Sequence, residues 1–521
     1  MLTADITTQR RLTPGLILAL IVVALAALYT AVYADPYVGL VMMPFFALGC
    51  ARGKRPATLL AMSLIPALVL LTISWMKFSL TGMPLVTYDH HFLRQNVLML
   101  MYNDWRLAAA ATVTTGAALL YIKHLLSGQG TFSRFEKAGL AALGLASIAG
   151  VFGLQHWDQT IDNWELELAR PSIRSFIASA RMPRPSLQLT STAEASMPPA
   201  GAGGLTAPAG ISPDIFLVLQ ESTFLPSTVR PEYAPHTLFA NAPSAATNAA
   251  TGPLHVHTFA GATWKTEFAV TTQMRPQEFG SDGLYVFYQL EGRIKQSIFT
   301  RLKALGYRTM VFYPVAANFI NARNFYSSIG VDEFYDPESL GLSSGWDWKA
   351  SDAAFYNAML EKIGDSDKPV VAMMLTINQH GPHDYQDPIS DYVTRFAQSD
   401  DAYRDFLNAL AGRGRKAGVI TFGDHQPEFM ANLEERPLWY FTAYDIRCVN
   451  FGCARPTVPD RGNKTLDAVL LAPLALEKFG FKLDDFSIRE RALFSACDDD
   501  VSRCGDAARL GVNTAFAKYF N

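Results

Sequence analysis

Apolar residues crowd the first part of the chain and then give way to short alternating blocks. Segments 12–34, 37–51, 57–76, 107–126 and 138–155 carry few charges, and a spanning helix needs about 20 such residues, so about five spans are predicted over residues 1–155. Arg10 and Arg11 precede the first segment. Arg52, Lys54 and Arg55 separate the second from the third, and Lys123, Arg134 and Lys137 lie around the fourth-to-fifth connection. With those groups on the cytoplasmic side, an odd number of spans puts everything after residue 156 outside. In 156–182, Trp157, Ile161, Trp164 and Leu168 recur at helical spacing, which predicts an interfacial helix with its Trp side chains in the headgroup layer. Residues 183–212 (including SMPPAGAGGLTAPAG) have the composition of a linker.

From 213 to 521 the period changes. IFLVLQ (215–220), RTMVFY (308–313), PVVAMMLTI (369–377) and KAGVITF (416–422) read as strands. QSIFTRLKALGY (296–307), ASDAAFYNAMLEKIG (350–364) and DDAYRDFLNALAG (400–412) read as helices between them. Strands alternating with helices predict a mostly parallel central sheet covered on both faces. The expected fold class is therefore an N-terminal multi-span α-helical membrane domain followed by an extracytoplasmic α/β domain. In such sheets ligands bind outside the carboxyl ends of the strands.

Composition sharpens the picture. Of 521 residues, 50% are hydrophobic and 17% charged, and the net charge is −3. No basic face accompanies it, so nucleic-acid binding is excluded as a function class. Cys50 lies at a membrane boundary, while Cys448 with Cys453 and Cys497 with Cys504 form two close pairs. Local pairing is the simplest connectivity, and disulfides persist in oxidising compartments. The absence of C-x-x-C spacing argues against metal ligation by these four.

Polar residues follow the strands. Glu221 follows LVLQ, Asp424 and His425 follow VITFG, and His380 follows the strand ending in LTI. Thr263 stands where the turn AGAT enters the segment WKTEFAVTTQM. A Thr hydroxyl needs activation, and metal coordination supplies it; a helix N-terminus suits an anionic phosphate. Thr263 as nucleophile, with Glu221, Asp424 and His425 as ligands, therefore describes metal-assisted phosphoryl transfer. That donor set fits zinc or manganese better than calcium. His380 is read as a phosphate contact or as the proton exchanger for the leaving alcohol. His383 is divided between substrate contact and loop surface. Lys265 and Glu267 are either solvated or near substrate, and Arg323 either forks a phosphate or lies on the surface. His255 and His257 share a face by alternation and are read as structural packing.

The segments DIFLVLQEST, GATWKTEF, TINQHGPH and TFGDH resemble the alkaline phosphatase/sulfatase superfamily. The likeness is to its membrane-anchored branch of lipoteichoic acid synthases, phosphoglycerol transferases and phosphoethanolamine transferases. The resemblance implies an alkaline-phosphatase-like catalytic domain on the periplasmic side of the cytoplasmic (inner) membrane. It implies that Glu221, Thr263, Asp424 and His425 hold a divalent metal and that His380 contacts substrate. It further implies that Thr263 attacks a phospholipid donor, diacylglycerol leaves, and an envelope glycan or glycolipid accepts the headgroup. FINARNFY, with Arg323, has an N-x-R-x-F spacing similar to that of glucan phosphoglycerol transferases. Tyr313 stands where the branch usually has a His, and QPEF follows Asp-His in place of G-E-S. Phosphoglycerol is favoured over phosphoethanolamine. The competing expectations are a hydrolase, in which water resolves the intermediate, and a non-catalytic scaffold that keeps the fold. Formylglycine sulfatases are disfavoured, because the nucleophile region lacks C/S-x-P-x-R.

Overall fold

The structure is a computed structural model. It describes residues 56–81, 84–87, 172–179, 204–210, 212–224, 242–345, 348–384, 386–432, 440–454 and 465–488, with scattered positions elsewhere. Two compact units divide the chain: Met1–Ser79 with Met83–Asp89 and Asp104–Met182, and Pro183–Asn521 with Leu80–Gly82 and His90–Asn103.

In the first unit, α1 (Pro56–Thr81) coincides with the predicted segment 57–76. Its side chains are described over 63–78 only, and among the described residues no helix is long and apolar enough to cross a membrane. The other four predicted segments lie wholly or mostly outside the described residues, as does most of 156–182. Leu64 and Ala67 of α1 pack with Tyr37, Val38, Met42 and Ile173. Ile173 opens the short α2 (Ile173–Ser179). Lys77 pairs with Asp89 at 2.8 Å, both side chains buried.

The second unit is built on an eight-stranded sheet of order β4-β3-β5-β1-β6-β7-β2-β8. The strands are β1 (Asp214–Gln220), β2 (Ala246–His255), β3 (Arg308–Phe312), β4 (Glu333–Tyr335), β5 (Val370–Leu375), β6 (Ala417–Gly423), β7 (Phe441–Val449) and β8 (Leu466–Asp467). The run β4-β3-β5-β1-β6 is parallel, and β7 is antiparallel to both β6 and β2. The four apolar runs read as strands in the sequence are β1, β3, β5 and β6, the interior of the sheet. Each is covered on both faces, so its sequence is continuously apolar.

Alternation sends Phe216, Val218, Met310, Phe312, Ala372 and Met374 to one face. There they meet Phe355 and Met359 of α6 (Asp352–Ile363) and Phe396, Phe406 and Leu410 of α7 (Pro388–Gly412). The opposite layer contains α3 (Thr263–Thr272), α4 (Ile298–Ala304), α5 (Ala322–Ser328) and α8 (Leu471–Lys478). It is aromatic: Phe268 of α3 lies 6.1 Å from Phe325 of α5, which stacks on Phe287 at 4.2 Å.

Two elements depart from expectation. Helix α7 begins at Pro388, not near residue 400. Proline is tolerated at the first helical position, and the Asp387 side chain caps by accepting from Ser390 N. In the stretch read as linker, Thr206 and Lys482 exchange backbone hydrogen bonds at 3.0 Å and Leu205 is buried. Residues 204–210 are thus tied by backbone bonds to the rest of the second unit.

Candidate metal and nucleophile site

Strand register brings the acidic residues together. Gln220 and Gly423 end β1 and β6 as register partners. The residues that follow, Glu221 and Asp424, leave adjacent strands at the same edge. Gly423 is required there, because a Cβ would lie 1.7 Å from the carbonyl oxygen of Thr223. Ser222 turns the chain at φ 50° and donates its N–H to Asp424 Oδ1 at 2.8 Å. Its hydroxyl donates to Glu221 Oε1 at 2.9 Å.

Thr263 arrives from the other side. The loop after β2 runs through Ala260 (φ 58°), Gly261 (φ 155°) and Ala262 (φ 60°). Left-handed conformations at two alanines are costly and are held by their surroundings. Ala260 N donates to Gln426 O at 3.1 Å and the Thr258 hydroxyl to Gly261 O at 2.6 Å. One turn into α3, the Thr266 hydroxyl donates to Asp424 O at 2.7 Å. The first turn of α3 is therefore tied to the end of β6. The helix cap is Ala262, and Thr263 is the first helical residue, which frees its hydroxyl from a capping role.

His425 Nε2 is the centre of the arrangement. It lies 3.4 Å from Thr263 Oγ1, 3.5 Å from Glu221 Oε1 and 3.2 Å from Asp424 Oδ2. His425 Nδ1 lies 3.0 Å from the carbonyl oxygen of Gln426. That oxygen only accepts, so Nδ1 carries the proton and Nε2 presents a lone pair. Nε2 and the two carboxyl groups then face one another, and Asp424 Oδ2 is buried without a hydrogen-bond partner. Ligand atoms about 2.0–2.1 Å from a tetrahedral zinc lie about 3.3 Å apart, the spacing seen around Nε2. Burial, and next the charge of Asp424, push the Glu221 carboxyl well above its ordinary range. A dication offsets that crowding. The residues fit a divalent ion of the zinc or manganese class, and Glu221, Asp424 and His425 are one of two such clusters among the described residues.

His380 sits in the loop after β5. Asp352 organises that loop: its Oδ1 accepts from Ile377 N at 2.7 Å and Asn378 N at 3.1 Å. Arg395 of α7 donates to His380 O at 2.8 Å. The imidazole Nδ1 lies 2.6 Å from Gly381 O, and the Trp348 ring meets it edge-on at 4.6 Å. Burial pushes the His380 pKa down, so the ring is neutral at pH 7.

The remaining predicted residues fare differently. His383 is in a loop, as its Gly-Pro neighbours indicated, but its side chain is 1% exposed. It pairs with Glu428 at 3.4 Å and packs on Phe429 and Tyr392; it is not on the surface. Lys265 is buried on α3 and is not a solvated side chain. The Arg323 side chain is 50% exposed, 3.9 Å from Asp336 and above the Phe334 ring. Cys448 and Cys453 form a disulfide; Cys497 and Cys504 lie outside the described residues.

Sequence reading missed the role of Glu267. It is wholly buried on α3 and accepts from the hydroxyls of Tyr313, at 3.4 Å, and Tyr326. Burial raises its pKa to about 8. Its position one helical turn after Thr263, with Tyr313 where a His was expected, was the available signal.

Residues 213–451 match the family model described as Sulfatase. An uncharacterised protein of Haemophilus influenzae is 31% identical over 247 residues, which are 42% of this chain and 44% of that protein. A lipoteichoic acid synthase-like protein of Bacillus subtilis is 24% identical over 182 residues, 32% of this chain and 29% of that protein. The chain thus spans less than half the length of these curated relatives. Among solved structures, the integral membrane lipooligosaccharide phosphoethanolamine transferase A of Neisseria meningitidis superposes with a TM-score of 0.52. It is 13% identical, and the match covers 90% of this chain and 96% of that one. At that identity the likeness is one of fold.

Proposed function

We propose that the chain, whose residues 213–451 match the Sulfatase family model, is a membrane-anchored phosphotransferase of the alkaline phosphatase superfamily. It moves a phospholipid headgroup, phosphoglycerol in preference to phosphoethanolamine, onto an envelope glycan or glycolipid. The catalytic domain, 213–521, works outside the cytoplasmic membrane, and residues 1–155 anchor it near its lipid donor. The observation that carries this reading is the convergence of Thr263 Oγ1, Glu221 Oε1 and Asp424 Oδ2 within 3.2–3.5 Å of His425 Nε2. The lipoteichoic acid synthase-like relative and the phosphoethanolamine transferase of similar fold support headgroup transfer as its use.

Glu221, Thr263, Asp424 and His425 would hold a divalent ion, which would supply Lewis-acid polarisation of a phosphoryl oxygen and would lower the proton affinity of the Thr263 hydroxyl. Thr263, at the N-terminus of α3, attacks phosphorus while the positive end of the helix dipole faces the phosphate oxygens. The bond from phosphorus to the diacylglycerol oxygen breaks, and the headgroup phosphate stays on Thr263. His380 Nδ1 is committed to Gly381 O, so Nε2 carries the lone pair: it takes up the proton that Thr263 gives up and passes it to the departing diacylglycerol oxygen, and in the second step it takes the acceptor's proton and returns it to Thr263. The acceptor hydroxyl then attacks the phosphothreonine and restores Thr263. The trp-lined loop of His380, held by Asp352 and Arg395, keeps that nitrogen in position.

Incubation of the full-length protein with headgroup-labelled phospholipids tests the proposal. The expected result is label on the peptide containing Thr263, with phosphoglycerol labelled faster than phosphoethanolamine, and no label in Thr263→Ala. An adduct on another residue, or turnover retained by Thr263→Ala, rejects the assignment.

A further inference from the structure

A second set of ligating side chains lies on the same carboxyl edge of the sheet, toward its β8 side. His255 ends β2, and β8 runs parallel to β2 with His255 in register with Asp467. His257 lies two residues beyond, past the end of the strand. His255 Nδ1 is 3.2 Å from Asp467 Oδ2, and His257 Nε2 is 3.1 Å from Asp467 Oδ1. The two imidazoles meet edge to face, with centroids 5.4 Å apart. One ligand atom from each of the three residues lies within 4.8 Å of the other two. Edges of about 3.3 Å are those of a tetrahedral zinc shell with ligands at about 2.0–2.1 Å. The trio shares no residue with Glu221, Asp424 and His425.

We propose that His255, His257 and Asp467 form a second, independent site for a zinc-class divalent ion, with a His₂Asp donor set. Two imidazoles and one carboxylate are the donors that such an ion takes when a fourth position is left to water. The burial pattern supplies that opening: the His257 and Asp467 side chains are 3% and 5% exposed, while that of His255 is 39% exposed. Val469 N donates to Asp467 Oδ1 at 3.1 Å and orients the carboxylate, as ligating carboxylates require. The ion joins β2 to β8 at the root of residues 256–262, the strained loop that leads to Thr263. Its role is to anchor that loop.

Zinc titration of the chelator-stripped, full-length protein in detergent, followed by desalting and elemental analysis, tests the site. The wild-type protein is expected to retain two equivalents. His255→Ala, a substitution at a partly exposed side chain, is expected to retain one, with affinity at the altered site weakened by more than about 100-fold. The Glu221→Gln/Asp424→Asn double variant is expected to retain one as well, which tests the site without altering it. Wild-type stoichiometry in His255→Ala overturns the proposal and leaves a hydrogen-bonded trio; so does loss of all zinc from the double variant. A single wild-type equivalent that His255→Ala removes and the double variant keeps supports this site and rejects the Thr263 centre instead.

Discussion

Ser222 donates its backbone N–H to Asp424 Oδ1 at 2.8 Å across 202 positions of sequence, so the turn after β1 orients the carboxylate after β6. His425 N donates to the same oxygen at 2.9 Å. Oδ1 is thereby occupied by the protein, and Oδ2 is the oxygen that lies 3.2 Å from His425 Nε2.

This division of labour predicts opposite effects of Asp424→Asn on activity and stability. The amide keeps an oxygen for the two N–H groups but removes one charge from the crowded pair with Glu221. Transfer activity is expected to fall at least about 100-fold, the scale of losing one preorganised electrostatic contact. With chelator present, the variant is expected to be more stable than wild type by about 0.5–2 kcal/mol. Thermal melts in chelator alongside transfer assays check both; a lower melting temperature for the variant contradicts the repulsion argument.

Glu267 predicts a pH dependence of stability. Its pKa is about 8 in the folded protein, raised first of all by burial, against 4.5 for a free glutamate. The folded state therefore binds the proton more tightly, and this contribution is fully present below pH 4.5. It is lost as pH rises toward 8, with a slope of at most about 1.4 kcal/mol per pH unit. Glu267→Gln keeps an acceptor for Tyr313 and Tyr326 and removes the titration. Denaturant midpoints between pH 5 and 8 should decline less steeply in the variant; parallel slopes contradict the assignment.

The Cys448–Cys453 bond closes a loop with a sequence separation of 5. Chain-entropy arguments give about 2 kcal/mol for a loop so short. A Cys448→Ala/Cys453→Ala variant is expected to lose that much, and non-reducing peptide maps of the native protein should find the pair linked. Free thiols at both positions count against an extracytoplasmic domain.

The interior of the sheet was legible because burial on both faces leaves apolar runs that no surface element has. The same reasoning placed Glu221, Asp424 and His425 at strand ends, and the register of Gln220 with Gly423 explains why residues so far apart meet. β2 was not legible in full. It lies between β7 and β8 near the sheet edge, carries several exposed positions, and contains Gly252 and Pro253, which break a strand pattern. β7 hid its burial behind Asp445 and Arg447, whose 2.6 Å ion pair lets two charges occupy a buried strand. The short β4 and β8 gave too few residues to show a period. Glu267 was read as either solvated or near substrate, because the two tyrosine hydroxyls that make its burial tolerable come from residues 313 and 326, distant in sequence.

Anomalous diffraction from crystals of the full-length protein grown with zinc or manganese tests the central claim most directly. The account predicts a peak within about 2.0–2.3 Å of Thr263 Oγ1, Glu221, Asp424 and His425 Nε2. Metal bound by other residues, with Thr263 Oγ1 outside its shell, would contradict it.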